Sequence, residues 1–232
     1  MSIFAYKADV AKPAADTLGG YEVAPTDVYD VAIELCYITK TKKGGTALNL
    51  VCKDQAGKEH NQVLYVSAIN DAGEETITSV GKDGKVSYRS GFLHADAICL
   101  LAAGKPMSEV AQEDFVVKIK DWDTKKDVAT QVKALKELHG KRIKLAMQRV
   151  VKNKQVLQGT SYVDTAESRT TSELVKSFRH SDNKTVVEIT ENQPAEFMNS
   201  WLEKYKGQDR NLFKAPTGNA GLPTTSVPPL QF

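Results

Sequence analysis

Cysteine is scarce: only Cys36, Cys52 and Cys99 occur in 232 residues, an odd number spread through apolar stretches with no C-x-x-C pair. That argues against a disulfide framework and a thiolate zinc site, and fits a reducing compartment. Long apolar runs are missing too. No stretch of about 18 such residues occurs, and the opening MSIFAYKADVAKP has neither a basic region leading into an apolar one nor a twin-arginine pair. The chain is therefore expected to be soluble and not exported. Nor is there an excess of charge: 31 Lys and Arg stand against 29 Asp and Glu, a net +2. Affinity for nucleic acid or membrane must come from local clustering. The signatures of catalysis are absent as well, with no P-loop, G-x-S-x-G, H-E-x-x-H or Rossmann fingerprint. His60, His139 and His180 lack ligand spacing, and His94 and Asp96, two apart on a helix, do not face each other. No enzyme and no cofactor are expected.

What is present is a series of period-two segments. Val28 to Thr39 alternates, with Tyr29, Val31, Ile33, Leu35 and Tyr37 on one face, so all five are expected in the core. Lys40-Thr41-Lys42-Lys43-Gly44-Gly45 reads as a basic hairpin tip, Leu48 to Lys53 as the returning strand and His60 to Ile69 as a third. Residues 70–90 are polar, carry a second turn at Lys82 to Lys85, and read as a mobile insertion. Then the period changes: Phe92, Ala95, Ile98, Cys99 and Ala102 share a helical face, stopped by Gly104 and Pro106. Phe115 to Asp121 alternates again, and Val128 to His139 holds a short strand and a helical turn. Arg142 to Lys154 is a strand whose phase breaks at Arg149, as a bulge would do. Ser172 to His180 and Thr185 to Thr190 read as a closing strand pair, and Ala195 to Lys206 as an amphipathic helix.

Three strands, a helix, then further strands is the element order of an OB-type barrel. The expected fold is mainly β with α: a five-stranded OB-type antiparallel barrel with a helix between strands three and four. An N-terminal arm (1–20), a domain (21–206) with a strand insertion at 70–90 and a C-terminal helix at 195–206, and a disordered tail (207–232) complete the expectation.

Three basic clusters stand out. Gly140 to Thr160 holds Lys141, Arg142, Lys144, Arg149, Lys152 and Lys154 with no acid, a strip suited either to a phosphate backbone or to a solvated edge strand. Lys118, Lys120 and Trp122 share one face of their strand, for phosphate contact with base stacking or as a tryptophan at the core margin. Lys40, Lys42 and Lys43 crown the first hairpin, for ligand or for solubility. Tyr65, and Tyr88 beside Arg89, are further stacking candidates. The carboxylates of Asp121 and Asp123 suit a divalent metal or, with the surrounding lysines, a simple turn.

At this point the residues resemble a family, the single-stranded DNA-binding proteins of tailed bacteriophages and prophages. The likeness rests on G-G-Y-E-V-x-P-x-x-V-Y-D-V-x-I at Gly19 to Ile33 and T-K-x-G-G-x-x-L-N-L at Thr41 to Leu50. It continues in F-x-x-x-x-A-I-C-L-L-x-x-G-K-P at Phe92 to Pro106, L-H-G-K-R-I-K-L at Leu138 to Leu145, Ser172 to Glu188, and Trp201 to Lys204. It covers about Gly19 to Lys206. The resemblance implies an OB-type protein that coats single-stranded DNA in replication, recombination or repair, in the cytoplasm of the infected bacterial host, without cofactor or turnover. Many such proteins end in an acidic tail with a terminal aromatic; here the only acid after Lys206 is Asp209, while Leu230 and Phe232 remain as a hydrophobic hook for a replication partner. Two other readings stay open, a metal-dependent nuclease or accessory using Asp121 and Asp123, and a protein-docking module of the phage replisome. With six strip cations on phosphate, the log–log salt slope of binding would be about −4.

Overall fold

The computed structural model describes residues 23–121, 124–159 and 161–215. β1 (Asp27–Lys40), β2 (Thr46–Asp54) and β3 (Gln62–Tyr65) follow one another as antiparallel strands. β4 (Ala68–Ile69) pairs with β5 (Glu75–Thr76), and β6 (Thr78–Val80) with β7 (Val86–Tyr88), as small hairpins. Helix α1 (Ser90–Ala103) leads to the hairpin of β8 (Gln112–Lys120) and β9 (Asp127–Leu135), then to the long hairpin of β10 (Arg142–Gln158) and β11 (Ser161–Arg179). Helices α2 (Val186–Thr190) and α3 (Phe197–Tyr205) and strand β12 (Arg210–Asn211) close the described chain.

The protein is mainly β and antiparallel. The main sheet runs β11-β10-β1-β2-β3, with β9 joining β1, β8 joining β9, and β12 lying parallel to β10. Among the described residues no strand ladder closes it into a barrel. Instead the Gln62 amide spans the two ends of the path: Nε2 donates to the Ser172 carbonyl and Oε1 accepts from the Leu174 N–H, each at 3.3 Å. Helix α1 packs against both β3 and β11. It starts so close to β3 that a Cβ on Gly91 would lie 2.2 Å from the Tyr65 carbonyl oxygen, which only glycine avoids. Its C-terminus is closed by Gly104 in the left-handed region, φ 74°, whose N–H reaches the Leu100 carbonyl.

Inside the curved sheet, Val31, Ile33, Leu48, Leu50, Ile98, Leu135, Ile143, Leu145 and Met147 form the main core. A second cluster, Ala146, Phe178 and Trp201, lies where α3 covers the other face of β10 and β11. All three cysteines are buried thiols, and burial pushes Cys52 and Cys99 up to about 12. No helix among the described residues is long and apolar enough to cross a membrane.

Several expectations change. The β1–β2 register slips between Ile33 and Leu35, so Cys36 and Ile38 turn inward while Leu35 and Tyr37 turn out; Tyr37 is not in the core. The third strand ends at Tyr65, because both Val66 and Ser67 donate to the Thr46 carbonyl and break the ladder. The insertion consists of hairpins tied to the body. Glu75 receives Lys40 Nζ at 2.7 Å together with the Thr46 and Ser67 hydroxyls. Arg149 is paired in register with Ser172; the β10–β11 register slips instead between Ala146 and Met147, where the unpaired residue is Val175 on β11, and again between Asn153 and Gln155. Thr185 to Thr190 is not a strand but leads into α2, set by a capping box: Thr185 Oγ1 accepts from the Glu188 N–H at 3.1 Å and Glu188 Oε2 accepts from the Thr185 N–H at 2.8 Å. Finally, residues 207–215 form no loose tail. The Gly207 N–H donates to Thr26, β12 pairs with Val150 and Val151, and Asn153 exchanges two hydrogen bonds with the Lys214 backbone. The N-terminal arm, Trp122, Asp123, and the hook residues Leu230 and Phe232 lie outside the described residues.

Candidate nucleic-acid interface

The acid-free strip on β10 does not stay unpaired once folded, because neighbouring elements supply the acids. Arg142 meets Asp30 at 2.9 Å, Arg149 meets Asp209 at 3.6 Å, Lys154 meets Glu167 at 2.7 Å, and Lys152 meets Glu173. Lys144 donates to the Asn183 amide oxygen at 2.6 Å. Nor do these cations share one surface. Arg142 and Lys144 turn to Asp30 on β1 and Asn183 after β11, whereas Lys152 lines a cleft beside β3 and the start of α1.

That cleft, of about 730 Å³, lies between β3, the β6/β7 hairpin, the start of α1 and the base of the β10/β11 hairpin. It gathers Tyr65, Arg89 and Lys152, named from the sequence on three separate elements, and adds Arg169, which the sequence reading missed. The only signal that would have found Arg169 is its register, directly opposite Lys152. Among the described residues no carboxylate lies within ion-pair distance of Arg89 or Arg169, and Arg89 Nε donates only to the Thr76 carbonyl, at 3.3 Å. Lys152 keeps Glu173, but half-exposed pairs of this kind are worth about 0–1 kcal/mol and exchange readily for phosphate. At the floor, burial and then Lys176 hold the His94 imidazole below its ordinary value. Tyr65 stands 63% exposed.

A second cleft, of about 670 Å³, opens between the β1/β2 hairpin and β8/β9. Tyr37, Ile119 and Val132 give it an apolar floor, with Lys40, Lys133 and Asn49 at its margins. Burial raises the Tyr37 phenol above its usual value. Asn49 Nδ2 donates to Thr39 Oγ1 at 2.8 Å. The two clefts share one sheet face, since Tyr37 pairs with Asn49 and Asn49 with Val63, beside Tyr65. An extended ligand crossing β1, β2 and β3 would run from one cleft to the other.

The remaining candidates fall elsewhere. Lys118 and Lys120 alternate with Ile119 and so project away from the second cleft. Tyr88 stacks on Phe92 at 5.3 Å, on the opposite side of its hairpin from Ser79, which lines the first cleft. Lys40 is held by Glu75, while Lys42 and Lys43 stand exposed at the hairpin tip. Asp121 braces the β8–β9 turn, its N–H donating to Lys126 and its carboxylate accepting from the Thr124 N–H. Among the described residues no three His, Cys, Asp or Glu side chains come together as a metal site. Set against known proteins, the sequence matches no protein-family model and no curated protein. The likeness to phage proteins therefore stands on the motifs alone.

Proposed function

We propose that this chain is an OB-type protein that binds single-stranded DNA without strong sequence preference and coats it, without turnover, during phage replication, recombination or repair in the cytoplasm of the infected bacterial host. The observation that carries this is the continuous face from Tyr37 across Val63 and Tyr65 to the cleft holding Arg89, Lys152 and Arg169. Cations there neutralise phosphate, and the exposed Tyr65, with the half-buried Tyr37, offers a ring face to unpaired bases, which a duplex keeps stacked inside. The OB assignment is supported by the cyclic order β1-β2-β3, then β11 and β10 back to β1, with α1 laid across the gap that Gln62 bridges. In this reading the β4–β7 and β8/β9 hairpins are insertions into a five-stranded plan.

The test is an anisotropy titration of labelled oligo-dT and matched duplex across a salt series. The single strand should bind more tightly, and the three cleft cations, at about 0.7 each, give a log–log salt slope near −2. A slope near −4 would instead return the whole β10 strip to the interface. Equal affinity for duplex, or binding insensitive to salt, would overturn the reading.

A further inference from the structure

On the outer face of the sheet, Asn49 stands among Tyr37, Val63 and Tyr65. Its neighbours Leu48 and Leu50 point into the main core, so strand alternation turns Asn49 outward. It pairs across the strands with Tyr37 on β1 and Val63 on β3, and Tyr65 lies on the diagonal. Its amide is half used. Nδ2 donates to Thr39 Oγ1 at 2.8 Å and to the Tyr37 carbonyl at 3.4 Å. A carbonyl only accepts, so the amide nitrogen must face that side and Oδ1 the other. Among the described residues no donor reaches Oδ1, and it is not one of the enclosed unpaired atoms, so it opens to the second cleft. Neighbouring amides are occupied at both ends. Gln62 spans to β11, Asn61 takes the Cys52 N–H and donates to Glu59, and Asn153 is held by Thr165 and Lys214.

An oriented acceptor beside a half-buried tyrosine suits a base that has lost its partner. Every base carries an N–H donor on its pairing edge: thymine at N3, adenine and cytosine in their amino groups, guanine at N1 and N2. In a duplex the opposite strand takes those donors; in a single strand they are free. We propose that Asn49 Oδ1 accepts a hydrogen bond from the pairing edge of a base seated in the second cleft against Tyr37, and so makes this face selective for unpaired strands. Phosphate contacts cannot draw that distinction, since both forms present phosphates. Once a base covers the cleft, an unmatched Oδ1 would bear the full desolvation of its carbonyl, which sharpens the selection. Because all four bases offer a donor, the contact adds no strong sequence preference. This role deepens the DNA-binding reading and rests on it.

The probe is N3-methylthymidine, in which a methyl group replaces the thymine N3–H and the phosphates are unchanged. Full-length protein is titrated by anisotropy with labelled oligo-dT and with the same oligomer built from N3-methylthymidine. The unaltered chain should bind oligo-dT about tenfold more tightly. Asn49→Leu, of similar size but without the acceptor, should bring the two affinities together. Asn49→Asp keeps an acceptor and should hold them apart, even as its charge weakens both. Should the leucine variant not fold, Asn49→Val, better suited to a strand, gives the same reading. An Asn49 that merely braces the β1/β2 hairpin would weaken both oligomers equally and leave their ratio untouched. A ratio near one in the unaltered chain, or a ratio that survives the loss of the acceptor, would overturn the proposal. Salt-sensitive binding of both oligomers with equal affinity ends this role alone, whereas no binding of oligo-dT ends the DNA reading and this role with it.

Discussion

The two ends of the β10/β11 hairpin belong to one pair of strands, whose register slips at Ala146/Met147 and again at Asn153/Gln155, and they are supported quite differently. At the body end, Ile143, Leu145 and Met147 enter the main core, and Ala146 and Phe178 pack under α3, so both faces are buried. At the far end, the arm, the same two strands run on with neither face covered. Cations at the body end are committed to Asp30 and Asn183. Those at the junction, Lys152 and Arg169, line the first cleft. The cations proposed to meet the ligand thus sit where burial stops, within reach of a rigid base and open to solvent.

The largest expected effect tests that contrast directly. Phe178→Ala, which empties the second core, should cost about 3–5 kcal/mol in urea unfolding, whereas replacing residues 156–163 by an Asn-Gly turn should change stability by less than about 0.5 kcal/mol. Comparable losses from both would make the arm part of the body and end the comparison. Next in size is Tyr65→Ala, expected to weaken binding of single-stranded DNA by about 1–3 kcal/mol. Arg169→Ala should flatten the salt slope by about 0.7, while Arg142→Ala, away from both clefts, should leave the slope where it was. If Arg142→Ala has the larger effect, the body end carries the ligand.

Much of the fold could be read from local pattern. β1, β2, α1, β8 and α3 announce themselves through period and punctuation, such as Gly104 after the α1 stripe. What escaped was information held between strands. The bulge that turns Tyr37 outward is a property of β1 against β2, and no residue of β1 alone marks it. The β10 strip looked uniformly basic because its acids lie on β1, β11 and the strap after α3, tens of residues away. For the same reason the site was half legible: Tyr65, Arg89 and Lys152 were found singly, but only the register puts Arg169 beside them.

At α2 two local signals compete: Thr185-Val186-Val187-Glu188 is a capping box, its β-branched residues favour a strand, and the cap prevails. Burial alone would raise the Glu188 carboxyl, but the N–H groups of Thr185, Phe197 and Glu196 outweigh it and hold the group below its ordinary value. Thr185→Ala should therefore cost about 1 kcal/mol. Because α2 and α3 both hang on Glu188, the loss should appear as faster amide exchange at the start of α3 as well. Unchanged exchange there would uncouple α3 from the cap and weaken the account of how the body end is covered.

The smallest expected effect concerns the other ribbons. Unlike the arm, the β4/β5 hairpin is pinned to the body by a polar tie, Glu75, held by Lys40 Nζ and by the Ser67 and Thr46 hydroxyls. These contacts, Lys40 foremost, lower the Glu75 carboxyl from 4.5 to about 2. A folded value below the unfolded one means the tie is complete above 4.5 and is lost as pH falls towards about 2. Ser67 Oγ also accepts from the Thr46 N–H at 2.7 Å, so exchange of that amide reports the tie. Its protection should fall across this acid range while amides of the body end of β10 hold. Glu75→Gln should remove the pH dependence and leave the ribbon as loose at neutral pH as the arm. A Thr46 amide equally protected at both ends of the range would mean that the ladder, not the charge, fixes this hairpin, and that an unsupported ribbon here needs no tie.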